Sequence, residues 1–172
     1  MLENQLHKHI DTYPNFPKEG INFKDITPIF RNPKVFDMVI DKFAEFESSH
    51  KADALIAIDA RGFLFGSALS ARLKKPLILA RKPGKLPGDL TTRTYKLEYG
   101  ENSLSLQNKS LDGYQSFCII DDLLATGGTV NCVKEIIESK NKKITGLIIL
   151  IELLELSGSK NFNFPVNSLI KY

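Results

Sequence analysis

Cysteine is scarce in this chain: its 172 residues include two, Cys118 and Cys132. Two thiols are too few for a disulfide scaffold or a structural metal centre, and buried free thiols in a reducing compartment account for them better. Charge of one sign is also missing, since 23 basic and 20 acidic residues leave a net +3. That balance argues against a nucleic-acid footprint, while a local basic patch is compatible with it. No uninterrupted apolar run exceeds 147–151 in length, far below the roughly 20 residues that span a bilayer. The opening Met1-Leu2-Glu3-Asn4-Gln5 has neither the basic region nor the apolar core of a secretion signal. A soluble, cytoplasmic protein is expected. Two nucleotide fingerprints are lacking as well, G-x-x-x-x-G-K-[ST] and G-x-G-x-x-G.

What is present is enough apolar residue for one domain over 1–172. At 42% hydrophobic residues, a chain of this length buries roughly 70% of the surface it would expose unfolded. Leu2, Leu6 and Ile10 recur every four residues and predict a short amphipathic helix, with His7 and His9 solvated beside it. Pro14, Pro17 and Gly20 then interrupt regular structure, so 16–30 reads as a loop or small lobe. Asn32-Pro33 marks a helix start, and Phe36, Val39, Ile40, Phe43 and Phe46 give it one apolar stripe to about Ser48. From residue 53 strands alternate with helices: strands over 54–58, 76–79, 116–120 and 144–151, helices over 63–73 and 130–140. Continuous apolar strands between helices predict an α/β fold, a parallel twisted sheet covered on both faces. Ligands of such sheets sit at the carboxyl ends of the strands.

One of those ends is rich in chemistry. The apolar run 117–120 stops at Asp121-Asp122, and Ala125-Thr126-Gly127-Gly128-Thr129 leads into an amphipathic segment from Val130. Adjacent glycines let a backbone close tightly and aim several N–H groups at one anion, with the Thr126 and Thr129 hydroxyls as further donors. The following helix turns the positive end of its dipole to the same point. A phosphate fits there. Carboxylates would be repelled by it, so Asp121 and Asp122 are expected to accept hydrogen bonds from a hydroxylated group beside it. A ribose 5-phosphate carries both parts. Apolar pair, Asp-Asp, three residues and Thr-Gly-Gly-Thr resemble the signature of the type I phosphoribosyltransferases, whose fold binds phosphoribosyl pyrophosphate.

Two further strand ends extend the resemblance. Asp59-Ala60-Arg61-Gly62 closes a strand and opens a helix, where Arg61 could fork onto a phosphate; taken alone it reads equally well as a helix cap with a surface arginine. It is similar to the pyrophosphate loop of the adenine-specific branch of the family, which often holds a non-proline cis peptide, here expected at Asp59-Ala60. After Ala80 comes Arg81-Lys82-Pro83-Gly84-Lys85-Leu86-Pro87-Gly88; between 81 and 96 Arg81, Lys82, Lys85, Arg93 and Lys96 face Asp89 alone. Such a loop attracts a polyanion. Segments 91–99 and 103–107 alternate like two antiparallel strands joined at Gly100 and predict a hairpin that carries the basic loop as a mobile flap. The loop, with Tyr95-Lys96-Leu97-Glu98-Tyr99-Gly100, resembles the catalytic flap of the adenine-specific branch.

The resemblance covers 16–156 and implies a hood at about 14–30, a core at about 33–156 and a flap at about 81–107. It further implies transfer of the 5-phosphoribosyl group from phosphoribosyl pyrophosphate to adenine, giving AMP and pyrophosphate, with Mg2+ held mainly by substrate oxygens, in a homodimer. Carried over residue by residue, Phe23 stacks on the base, main-chain groups of Asn22 and Lys24 read its edge, and Leu153 closes its other face. Arg61, Arg81, Lys82 and Lys85 meet the diphosphate together with Asp59 and Ala60; Glu98 handles a proton on the imidazole side of the base and Tyr99 orients the groups. Two alternatives stay open at this stage: a relative acting on a 6-oxopurine, and a non-catalytic regulator that binds the same ligands. The residues after Leu156 receive no function.

Overall fold

The computed structural model describes residues 2–97 and 100–172. In chain order the elements are α1 (Leu2–His7), β1 (Asp11–Pro14), β2 (Asn22–Asp25), α2 (Thr27–Phe30), α3 (Pro33–His50), β3 (Ala54–Ile58), α4 (Gly62–Leu73), β4 (Leu77–Ala80), β5 (Leu90–Leu97), β6 (Gly100–Gln107), β7 (Ser116–Leu124), α5 (Gly128–Glu138), β8 (Lys143–Glu152) and β9 (Val166–Lys171), with short 3-10 turns between β6 and β7 and between β8 and β9. The chain divides into two compact units, one ending at Lys42 and one from Phe43 to Tyr172, with the division inside α3. Among the described residues no helix is long and apolar enough to cross a membrane.

In the first unit the expected loop holds a small hairpin. β1 pairs antiparallel with β2, Tyr13 opposite Phe23 and Pro14 opposite Asn22, and Phe16 meets the Phe23 ring edge-on at 5.2 Å. Asp25 starts α2: its carboxylate accepts the Thr27 N–H at 2.9 Å and the Thr27 hydroxyl at 2.8 Å. Asn32 starts α3 in the same way, accepting the Val35 N–H. It also meets Nε2 of the half-exposed His9 at 3.1 Å, a structural contact.

The second unit is organised by a five-stranded parallel sheet in the order β4-β3-β7-β8-β9. Strands β3 and β7 are buried along nearly their whole length, as continuous Leu, Ile and Ala runs require when both faces are covered. The helices that cover them pack closely: a Cβ on Gly66 of α4 would lie 2.5 Å from Cβ of Ala57, so only glycine lets this helix approach. The chain runs from β3 outward to β4 and then returns to place β7 on the other side of β3. That reversal is the switch point at which such sheets open a crevice.

Two departures from expectation matter for the site. Strand β7 does not stop at Ile120 but continues through both aspartates to Leu124, because β8 offers it partners that far, Asp121 opposite Ile149 and Leu123 opposite Ile151. The hairpin β5–β6 pairs from Leu90/Gln107 to Leu97/Gly100, so Gly100 belongs to a strand and not to the joint. Its base is core: Leu104 and Leu106 are 2% and 0% exposed and cluster with Ile58, Ala80 and Val130. Both cysteines are free and buried, and the Cys132 thiol donates to the Arg93 carbonyl.

Candidate active site

A cavity of about 450 Å³ opens at the carboxyl ends of β3 and β7. It is lined by Asp59, Ala60 and Arg61 after β3, by Asp121 and Asp122 within β7, by the turn Ala125 to Thr129, by Lys82 after β4, and by Tyr95 and Asn102 from the hairpin.

Close packing locks the first two groups together. A Cβ on Gly62 would lie 2.9 Å from Oδ1 of Asp121 and from the Ile120 carbonyl. Glycine therefore lets the start of α4 rest on the acidic edge of β7. Arg61, one residue before, donates from Nε to Oδ2 of Asp122 at 2.7 Å. The Asp59–Ala60 peptide is cis, as the motif led us to expect. On the far side of Asp59, its Oδ2 accepts from Nε of Arg81 at 3.2 Å, and the Arg81 guanidinium lies over the Phe63 ring at 5.6 Å. Arg81 is thus engaged by the wall of the site, and neither it nor the exposed Lys85 lines the cavity; Lys82 does.

The carboxylate pair is costly. Asp121 and Asp122 are 8% and 7% exposed, and the Asp122 N–H donates to Oδ1 of Asp121 at 2.9 Å. Burial, and then the charge of Asp122, push Asp121 well above the ordinary carboxylate range, against the weaker pull of the Asp122 N–H and Arg61. Two buried acids side by side in a strand are a costly arrangement of the kind that clusters at functional sites.

The turn is built for an anion. Gly127 has φ +87°, the left-handed region, and stands immediately before α5. Its successors open that helix, so backbone N–H groups and the positive end of the dipole face one point. Among the described residues no group of three or more His, Cys, Asp or Glu is arranged to hold a metal ion.

Residues 25–164 match the model of the phosphoribosyl transferase domain. The adenine phosphoribosyltransferase of Prochlorococcus marinus strain MIT 9312 is 56% identical over 168 residues, 98% of this chain and 99% of the relative. The chain belongs to the adenine phosphoribosyltransferase branch of this family. Solved adenine phosphoribosyltransferases share the fold throughout: that of Thermoanaerobacter pseudethanolicus has a TM-score of 0.93 at 40% identity, covering 99% of each chain. The adenine phosphoribosyltransferase of Saccharomyces cerevisiae, solved with adenine and an imino-altritol bisphosphate, has a TM-score of 0.92 at 35% identity, covering 98% of each chain.

The remaining predicted residues fall in three groups. Asn22, Phe23 and Lys24 form β2 of the first unit, with the Lys24 ammonium on the Thr12 hydroxyl at 3.1 Å. Leu153 follows β8, half-buried, its N–H donating to the Leu124 carbonyl at 2.9 Å. Glu98 and Tyr99 lie outside the described residues. Sequence reasoning missed Tyr95 and Asn102 as cavity residues. They sit opposite each other in the β5–β6 register, and the alternation of the hairpin was the signal that could have put them on one face.

Proposed function

We propose that this chain transfers the 5-phosphoribosyl group from phosphoribosyl pyrophosphate to adenine, giving AMP and pyrophosphate. The observation that carries the reading is the cavity in which an anion-binding turn, a buried carboxylate pair and an arginine loop converge. Each part suits one part of the substrate. The turn Ala125 to Thr129 takes the 5-phosphate, Asp121 and Asp122 accept from the ribose hydroxyls, and Asp59, Ala60, Arg61 and Lys82 frame the diphosphate. Arg81 and Lys85 join them when the basic loop closes on the substrate.

In the reaction the C1–N9 bond forms as the C1–O bond to the diphosphate breaks, and the electron pair leaves with pyrophosphate. Positive charge gathers on the ribose beside Asp121 and Asp122, and negative charge on the leaving group beside the cationic side chains. Glu98 takes the proton released on the imidazole side of adenine, with Tyr99 orienting it. Phe23 stacks on the base, main-chain groups of Asn22 and Lys24 select its edge, and Leu153 covers the other face. The charged oxygen donors lining the cavity are three carboxylates, Asp59, Asp121 and Asp122, with no soft ligand, which would suit magnesium held mostly by substrate oxygens beside them. Magnesium, when bound, neutralises diphosphate charge.

We read the chain as one phosphoribosyltransferase domain over 1–172, with hood, core and flap at about 14–30, 33–156 and 81–107. We further read it as a cytoplasmic homodimer, on family likeness and its two free thiols. The test of function is direct. Purified protein with magnesium and phosphoribosyl pyrophosphate is offered adenine, hypoxanthine, guanine, xanthine and orotate in turn, with nucleotide and pyrophosphate both followed. AMP from adenine alone is expected; product from a 6-oxopurine would overturn the assignment of the base site, and tight binding without product would overturn the enzyme.

A further inference from the structure

Behind the phosphate turn lies a segment to which the sequence assigned no role. After β8 the chain turns through Ser157, at φ 51°, into a 3-10 turn over Gly158–Asn161. Gly158 is buried against the phosphate turn: a Cβ there would lie 2.2 Å from the Ala125 carbonyl oxygen and 3.0 Å from the Thr126 carbonyl carbon. Asn161 donates from Nδ2 to the Thr126 carbonyl at 3.0 Å. Phe162 backs the next residue, since a Cβ on Gly127 would lie 2.9 Å from its Cζ. Phe162 is itself held by stacking on Phe164, centroids 5.0 Å apart. None of these tail residues lines the cavity, which is lined by Ala125 to Val130 from the other side.

Peptide geometry gives this contact a consequence for binding. In a trans peptide the carbonyl of one residue and the N–H of the next point in opposite directions. A Thr126 carbonyl drawn backward onto Asn161 therefore directs the Gly127 N–H forward, and an Ala125 carbonyl seated on Gly158 does the same for the Thr126 N–H. We infer that the segment 157–162 is a positioning device for the 5-phosphate: Asn161 and Gly158 hold the rear of the turn so that its front N–H groups converge on the anion. The inference rests on the reading of Ala125 to Thr129 as the 5-phosphate site. Asn161 is exposed, touches no part of the proposed substrate and acts through the turn alone.

The experiment compares Asn161→Ala, Asn161→Asp, Thr129→Ala and, as a control on the same surface, Asn163→Ala, with ribose 5-phosphate and pyrophosphate as separate probes in calorimetric titration. Loss of one hydrogen bond of ordinary strength weakens ribose 5-phosphate binding about 5–10-fold in Asn161→Ala. Asn161→Asp, equal in shape but with no N–H to give, is expected to lose at least as much. Pyrophosphate affinity and kcat stay within about twofold while KM for phosphoribosyl pyrophosphate rises with the ribose 5-phosphate Kd, and Asn163→Ala behaves as the parent. If ribose 5-phosphate binding falls in Thr129→Ala but not in either Asn161 variant, the inference is wrong and the phosphate turn stands. If it falls in none of the three, both are wrong. Equal weakening of ribose 5-phosphate and pyrophosphate would show a general structural role and also overturn the inference.

Discussion

Two buried acidic sites of the parallel sheet, Glu47 near the amino ends of its strands and Asp121-Asp122 near the carboxyl ends, handle charge in opposite ways. At the amino ends of the strands the exposed carboxylate of Asp53 and the buried one of Glu47 both have partners. Asp53 accepts the N–H groups of Gln115 and Ser116, and Glu47, 2% exposed, accepts the Ala52 N–H and pairs with Lys75 at 2.6 Å. Lys75 in turn donates to the Ala52 carbonyl. At the carboxyl ends Asp121 and Asp122 are buried like Glu47, and Asp122 pairs with Arg61, yet Asp121 has a like charge for its neighbour. Glu47 is balanced by a cation within the fold, whereas Asp121 is left beside a like charge, as the proposed ribose site would require. Substitutions should accordingly move stability at the first end and activity at the second.

The largest expected effect is on stability. Lys75→Met strands Glu47 as a buried charge and should cost about 3–5 kcal/mol in urea unfolding. The activity of the folded fraction should stay at the parent value. Adding Glu47→Leu should recover most of the loss; failure to recover it would mean the pair is held for something other than charge balance. Next, Asp122→Ala should lower kcat/KM about 10²–10³-fold, some 3–4 kcal/mol in the barrier, with little change in melting temperature. A variant that lost stability and kept activity would reverse the contrast between the two ends.

A subtler effect is expected at Asp121. Its folded pKa is raised, so the folded state keeps a proton that the unfolded chain gives up above the ordinary carboxylate pKa, and stability is lost as pH rises through that range. Asp121→Asn keeps an oxygen for the Asp122 N–H and removes this penalty. Melting near neutral pH should rise, by about 2–4 °C for each kcal/mol recovered, while affinity for phosphoribosyl pyrophosphate falls. The smallest effect belongs to the amino end. Burial lowers the pKa of His50, against the opposing pull of Asn167 and Glu47, so its stability contribution is complete above the ordinary histidine pKa of 6.5 and is lost as pH falls. For Asp53, the Gln115 N–H and then the Ser116 hydroxyl and N–H lower the pKa, which adds a loss at more acid pH, below about 4. Thermal melts from pH 8 to pH 3 should show both; a flat profile between pH 7 and pH 5 would remove His50 from the account.

Local pattern made the alternating core and the three strand-end loops legible, because each is encoded within a dozen consecutive residues, and the family resemblance of the second loop implied the cis peptide at Asp59–Ala60. What escaped depends on partners far away in the chain. Strand β7 extends past Ile120 because β8, more than twenty residues later, pairs with it. Tyr95 and Asn102 reach the cavity through hairpin register, and the segment 157–162 earns its place behind the turn by folding back across thirty-five positions to Thr126. Arg81 lay in a run whose charge was plain, but its engagement by Asp59 depends on β4 lying beside β3.

The order β4-β3-β7 makes the backbone a ruler. The basic loop leaves β4, the arginine loop leaves β3, and the acidic edge belongs to β7, so the three are spaced by inter-strand hydrogen bonds, about 4.8 Å a step. Side chains can shift by a rotamer; these steps cannot stretch without breaking the sheet. On the proposed reading the interval between the groups that meet the ribose hydroxyls and those that meet the diphosphate is gauged by main chain, and a sugar carrying its diphosphate on a longer spacer should bind poorly.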